Sequence, residues 1–250
     1  MDEQELRRSD GETIAYRKRG GRGPGVVWLG GFRSDMTGTK AEALDTWAAE
    51  KGHAYLRFDY LGHGRSSGEF RKGTIGRWRD DALAVLEELT NGPQILVGSS
   101  MGGWIALLLA RQRPERVKAL LLIAPAPDFT EDLLWTALSP EAQRQIMSEG
   151  EWLQPWGYGL ETCPITRGLI EDGRANLLLR STIGVDCPVR ILQGMNDPDV
   201  PWQHAVRIVE RLPNNPVLTL VKDGDHRLST PEDLKRMTAT LDMLLANLDG

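Results

Sequence analysis

The sequence predicts an α/β protein with a mostly parallel central sheet flanked by helices, and three observations lead there. Short, almost wholly apolar runs recur at 26–29, 54–58, 94–97, 118–123, 189–193 and 217–221. Runs of this length without polar alternation belong to strands buried on both faces. Segments of helical spacing separate them, and strand–helix alternation is what a parallel sheet with crossover helices requires. No Ser/Gly-rich or like-charged segment interrupts the pattern, so residues 1–250 read as one domain.

Each element has its own local reason. Residues 5–8 and 13–19 flank Asp10-Gly11, a turn signal, and read as an N-terminal β-hairpin. The run at 26–29 follows Gly and Pro. A helix at about 40–51 leads to the run at 54–58. Residues 75–89 place Trp78, Ala82, Val85, Leu86 and Leu89 on one helical side. The run at 94–97 is followed by a helix ending near 111 and by the run at 118–123. After Pro125 and Pro127 the rhythm changes. Residues 128–182 show no strand-like block, only helical pieces at 132–138, 140–149 and 165–179, and are expected to form a short helical cap inserted late. Alternation then resumes with 189–193, a helix at 203–212, a strand at 217–221 and a closing helix at 232–248. No internal repeat is visible.

Composition excludes some classes of function. A chain of 250 residues can bury roughly three quarters of its unfolded surface and needs no staples. The net charge of -5 is mild and spread out, which argues against a nucleic-acid partner. The start, MDEQELRRSD, has no apolar core and carries acids early, unlike a secretory signal or organellar presequence. The longest apolar run, near 104–110, is too short to span a bilayer, so stable membrane insertion is not expected. Cys163 and Cys187 read as packing thiols in a reduced, cytoplasmic setting.

The chemistry centres on VGSSMGG at 97–103. Gly98-Ser99-Ser100-Met101-Gly102 fits G-x-S-x-G only when Ser100 is central, because Val97 and Met101 stand where a Ser99-centred pattern needs glycine. A nucleophile between strand and helix sits on a strained turn, and glycines two places away relieve backbone clashes. A serine hydroxyl attacks only when a base takes its proton, and the base needs an orienting acid. Of four histidines, His53 precedes a strand at a position expected on the surface, and His204 lies inside a predicted helix. His63, in LGHGRSS, and His226, in DGDHRL, both lie beyond the C-terminal ends of predicted strands, where they can approach the serine. The loop QGMNDPDVPW offers the acid: Asp197 comes soonest after its strand and fits G-x-x-D-x-x-V-P, leaving Asp199 solvated or capping. Asp223 and Asp225 read as turn residues. The N–H of Met101, opening the helix after the serine, and that of Phe32, in GGFRSD, are the candidate oxyanion donors. This chemistry calls for no cofactor and no metal.

The stretches GGFRSDMTGTKA, AYLRFDYLGHGRSSGEF, GPQILVGSSMGGW and CPVRILQGMNDPDVPW resemble the α/β-hydrolase superfamily over nearly the whole chain. Within it they are similar to the palmitoyl-protein thioesterase and mycophenolic acid acyl-glucuronide esterase family and its bacterial members. The resemblance implies the chain order nucleophile, acid, base, which selects His226 over His63 and completes a triad of Ser100, Asp197 and His226. It implies a cap over the site and acyl thioester or activated ester substrates, S-acylated protein cysteines among them. Two features depart from it: the chain begins almost at its first hairpin, and Gly30-Gly31 stands where many superfamily members have His-Gly. The rival readings are a carboxylesterase for small esters and, in another class, a non-catalytic binding protein, for which an intact Ser/His/Asp set has no use. A dehalogenase needs a carboxylate at the elbow. The cap tryptophans Trp135, Trp152 and Trp156 either line an acyl channel or glue the cap down. Arg33 and Lys40, near the proposed oxyanion loop, are either solvated, as most such cations are, or meet an anionic substrate such as a glucuronide carboxylate.

Overall fold

The chain opens with an antiparallel pair, β1 (Glu3–Arg7) and β2 (Thr13–Arg19), joined across the Asp10-Gly11 turn. From there β3 (Arg22–Leu29), α1 (Thr39–Lys51), β4 (His53–Phe58), α2 (Ile75–Leu89), β5 (Gln94–Ser99), α3 (Met101–Gln112) and β6 (Val117–Ile123) alternate. The insertion carries α4 (Pro140–Glu149), β7 (Glu151–Pro155), β8 (Thr162–Thr166) and α5 (Arg167–Ala175). Then β9 (Val189–Gly194), α6 (Trp202–Arg211), β10 (Val217–Val221) and α7 (Pro231–Ala246) complete the chain. This computed structural model describes residues 1–155 and 162–248.

Eight strands form the main sheet in the order β1-β2-β4-β3-β5-β6-β9-β10. The pairs from β4 through β10 are parallel, and β2 joins both of its neighbours antiparallel. Successive residues of a strand face opposite sides, and here each side has its own core. Val27, Leu29, Leu96, Leu120 and Leu122 pack with α2, α3 and α6, whereas Val26, Trp28, Ile95, Val97 and Leu121 pack with α1 and α7. That is why these strands show no polar register. Trp78 and Trp104 are wholly buried, and their indole N–H groups donate to Leu61 O and Asn176 O at 3.1 Å each. Each buried indole removes a large apolar surface from water, which is stabilising in proportion to its area, and the paired N–H removes the polar penalty.

The insertion departs from the expected all-helical cap. β7 and β8 pair antiparallel as a separate two-stranded sheet, and the helix predicted from 165 starts only at Arg167. Strand signals were weak because both segments are five residues long and contain proline, which cannot donate to a ladder. The predicted helix at 132–138 is instead a π-turn at Thr130–Leu134 followed by a 3-10 turn at Trp135–Ala137. Asp128 ties the two ends of the insertion together: its buried carboxylate accepts the N–H groups of Leu178 at 2.7 Å and Leu179 at 2.9 Å. His53 is also not the surface residue expected; it is buried and stacked on Trp47, ring centroids 5.3 Å apart. Among the described residues no helix is long and apolar enough to cross a membrane.

Candidate active site

Strand β5 turns into α3 through Ser100, whose φ of 54° and ψ of −118° place a non-glycine residue in a strained conformation. The turn is held by three backbone bonds. Ser100 N–H donates to Ile123 O at 2.9 Å, and Ser100 O accepts from Gly103 N at 2.9 Å and Ala126 N at 3.1 Å. Both glycines of the motif have a steric reason. A Cβ on Gly98 would lie 2.4 Å from Gly102 O, and one on Gly102 would lie 2.1 Å from Leu29 O. Ser99, one residue earlier, is the buried end of β5.

The other two predicted residues converge on this turn from far along the chain. His226, on the loop after β10, puts Nε2 3.1 Å from Ser100 Oγ and Nδ1 2.8 Å from Asp197 Oδ2. Asp197, on the loop after β9, is buried and accepts three further bonds. Its Oδ1 takes the N–H groups of Val200 at 2.8 Å and Asp199 at 2.9 Å, and its Oδ2 takes Gln193 Nε2 at 3.0 Å. Burial alone would raise the Asp197 pKa, but the bonds from His226, Val200 and Asp199 outweigh it and hold the carboxyl below its usual value. An ionised Asp197 accepts from Nδ1–H, which leaves Nε2 as the acceptor facing the serine. Asp225, by contrast, serves the loop: its carboxylate accepts Leu228 N–H at 2.8 Å.

The loop after β3 lies against the same turn. A Cβ on Gly31 would sit 3.4 Å from both Ser100 Cβ and Ser99 O. The next residue, Phe32, packs its ring edge-on against Phe70, Trp78 and Phe129. Met101 opens α3, where the first N–H groups have no partner within the helix. His63, the rival base, is 3% exposed and faces this loop: its Nε2 accepts Arg33 N–H at 3.1 Å, and its Nδ1 lies 3.1 Å from Leu61 O. The ring therefore carries its proton on Nδ1 and pins Arg33, which has a positive φ of 57°.

Burial pushes His63 down to about 4 from 6.5. The unfolded chain then binds that proton more tightly, so its contribution to stability is complete above pH 6.5 and lost as pH falls toward 4. Between pH 7 and pH 5 this amounts to about 2 kcal/mol. Urea unfolding of wild type and His63→Gln at both pH values should show the wild type losing that much more than the variant; equal losses would contradict it.

Over Ser100 lies a cavity of about 570 Å³, within the span of small-molecule clefts, about 300–1,000 Å³. Phe32, Phe129, Leu133, Leu134 and Ile165 give it an apolar wall, most of it from the insertion, and Lys40, Arg227 and Ser229 a polar one. A second cleft of about 520 Å³ shares Arg33 and Ser34 but contains none of Ser100, Asp197 and His226. Trp135 and Trp152 pack on the insertion's own core of Ile146, Cys163, Ile165 and Ile170 rather than line the cavity over Ser100. Trp156 lies outside the described residues. Arg33 and Lys40 do line the cavity, yet both reach back to protein carbonyls, Arg33 Nη1 to Thr162 O at 3.3 Å and Lys40 Nζ to Arg227 O.

Among the described residues, Asp197, Asp199 and His226 bring potential metal-ligand atoms within 4.8 Å of one another. The Asp197 and His226 atoms are already partners at 2.8 Å, and Asp197 Oδ1 accepts two N–H groups. That donor set fits a proton relay better than a cation.

A strand–serine–helix turn at the C-terminal edge of a parallel sheet, with His and Asp arriving in that order of contact from later loops, defines an α/β-hydrolase. The chain belongs to the α/β-hydrolase family. Residues 41–152 match the model of the alpha/beta hydrolase fold. Palmitoyl-protein thioesterase ABHD10, mitochondrial, of Mus musculus is 41% identical over 245 residues, covering 97% of this chain and 82% of that protein. The structure of alpha/beta hydrolase domain-containing protein 10 from mouse superposes with a TM-score of 0.91 at 39% identity, over 99% of this chain and all of that one (100%). A putative hydrolase from Agrobacterium vitis S4 superposes with a TM-score of 0.92 at 47% identity, over 97% of this chain and 98% of that one.

Proposed function

We propose that the chain is a serine hydrolase that cleaves acyl thioesters and esters through an acyl-enzyme on Ser100. The observation that carries this reading is the continuous relay from Ser100 Oγ through His226 to Asp197, with contacts of 3.1 and 2.8 Å. In acylation His226 Nε2 takes the Ser100 proton as Oγ bonds to the acyl carbon. The N–H groups of Met101 and Phe32 stabilise the resulting oxyanion. As the carbon–sulfur or carbon–oxygen bond breaks, His226 returns that proton to the leaving thiolate or alkoxide. Water then repeats the cycle on the acyl-enzyme, with His226 as base and then acid, and releases the carboxylic acid.

The apolar wall supplied by the insertion favours a long acyl chain over a short one, and the relatives named palmitoyl-protein thioesterase support an S-acylated protein cysteine as the leaving group. Acyl glucuronides are the second ester class in this reading. The two free thiols, Cys163 and Cys187, fit a reducing, cytoplasmic setting.

A fluorophosphonate probe tests the mechanism: wild type is labelled and Ser100→Ala is not. Equal labelling of both, or none of wild type, returns the chain to the class of non-catalytic binding proteins on this fold. Substrate range is tested with p-nitrophenyl acetate and palmitate, palmitoyl-CoA, an S-palmitoyl peptide and an acyl glucuronide. The long acyl thioesters are expected to give the highest kcat/KM. A strong preference for acetate without thioester cleavage marks a small-ester carboxylesterase instead.

A further inference from the structure

We infer that Lys40 is a positioning residue whose ammonium, projected from α1, holds the Arg227 carbonyl and thereby fixes the imidazole of His226 over Ser100. The inference rests on the serine-hydrolase reading and adds a residue to its machinery. Lys40 Nζ donates to Arg227 O and lies 3.3 Å from Ser229 Oγ, which itself donates to Arg227 O at 3.0 Å. These bonds close a contact between residues 187 apart in sequence.

The loop that carries His226 runs from the end of β10 to the start of α7. It is pinned before the histidine, where Gly224 O accepts Asn196 N–H at 2.9 Å, and α7 begins with a Thr230–Asp233 capping box. Between those points Leu228 has a positive φ of 44°. Among the described residues, the hydrogen bonds reaching 225–229 from elsewhere are those of His226 itself and those of Lys40. Leu228 is buried in the core beside α7, so without Lys40 the peptide following the histidine keeps that packing but loses its external hydrogen bonds. Local helix chemistry does not explain the residue. Lys40 sits in the first turn of α1, where the helix dipole disfavours a cation, and the Gly38 N-cap supplies no side-chain bond. The bond across to the histidine loop offsets that placement. Two of its three N–H donors are engaged with the loop, so Lys40 is neither the solvated cation that its position suggests in sequence nor a group wholly available to an anionic substrate.

The charges around it are mixed. Asp225 and Arg227 face it from the histidine loop and Asp233 from α7, while Arg33, Asp199 and His226 share the cavity wall. Burial lowers its pKa to about 8, with the charge of Arg227 acting the same way and those of Asp225 and Asp233 opposing. The charged form is the one that anchors the loop most strongly, so the anchor weakens as pH rises through about 8.

The test is kcat and KM from pH 6 to 10, with fluorophosphonate labelling rates, for wild type, Lys40→Arg and Lys40→Met. Wild-type kcat should fall as pH rises through about 8. Lys40→Arg should keep the rate within a few-fold and lose that fall, because a guanidinium stays charged. Lys40→Met should lower kcat about 10- to 100-fold, the scale of a small misplacement of a catalytic group, with KM changed less than about twofold. Labelling should slow in parallel while the melting temperature stays close to wild type. Wild-type labelling rates in Lys40→Met, or an unchanged alkaline fall in Lys40→Arg, would overturn the assignment while leaving the serine mechanism intact. Failure of wild type to label would overturn both.

Discussion

Ser100→Ala is expected to lower kcat by about 10⁴- to 10⁶-fold, the loss seen when the nucleophile of a serine triad is removed. The size follows from non-additivity. Once Oγ is gone, His226 and Asp197 have nothing to activate, and what remains is binding and any oxyanion stabilisation. The substitution should leave the fold intact. Alanine keeps a Cβ at the same positive φ of 54°, and the bonds holding the turn are backbone bonds to Ile123, Gly103 and Ala126. Circular dichroism and melting temperature should therefore match wild type while turnover of a p-nitrophenyl ester disappears. Substantial retained turnover would mean that another residue, not Ser100, attacks the substrate.

The second large effect is expected at Asp197. Asp197→Asn keeps the shape of the side chain and an oxygen for the Val200 and Asp199 N–H groups, but then presents an amide N–H₂ where Oδ2 met both His226 Nδ1 and Gln193 Nε2. Facing a donor, the imidazole is driven to the tautomer with its proton on Nε2, where it points at Ser100 and cannot accept. A loss of about 10⁴-fold in kcat is the scale for this wrong-tautomer defect, with little change in KM. Stability moves too, in a defined direction. Because the Asp197 pKa is held below its unfolded value of 3.8, its contribution is complete above that pH and is lost as pH falls through the lowered folded value. The asparagine variant should lack that part of the acid sensitivity. Urea unfolding at pH 7 and near pH 3 measures it, and kinetics at pH 7 measure the catalytic loss. A variant with near wild-type kcat would show that His226 needs no orienting acid.

Much of the site could be read along the chain because its strongest constraints are local. Ser100 is separated from Ser99 by the spacing of Gly98 and Gly102, and the folded turn shows the carbonyls of Gly102 and Leu29 that make those glycines necessary. Asp197 was marked by a loop pattern whose Val200 and Asp199 amides bond its carboxylate. The unpatterned apolar strands announced a sheet covered on both faces, since burial on both sides removes any polar register.

Other features left no mark that periodicity or motif can detect. His63 and His226 are equivalent by local context, each beyond a strand end; in space one holds the Arg33 amide and the other meets Ser100. The strands of the insertion are five residues each and carry proline, so pairing with one another, not local propensity, makes them strands. Lys40 reads as a solvated cation until α1 and the loop before α7 are brought together. Sequence spacing sets what lies within a turn or two of backbone: the elbow, the strand and helix periods, the acid's loop. Which distant side chains become partners depends on the packing of helices and loops around the sheet, and that arrangement brings His226 to Ser100, His63 to the Arg33 amide and Lys40 to the Arg227 carbonyl.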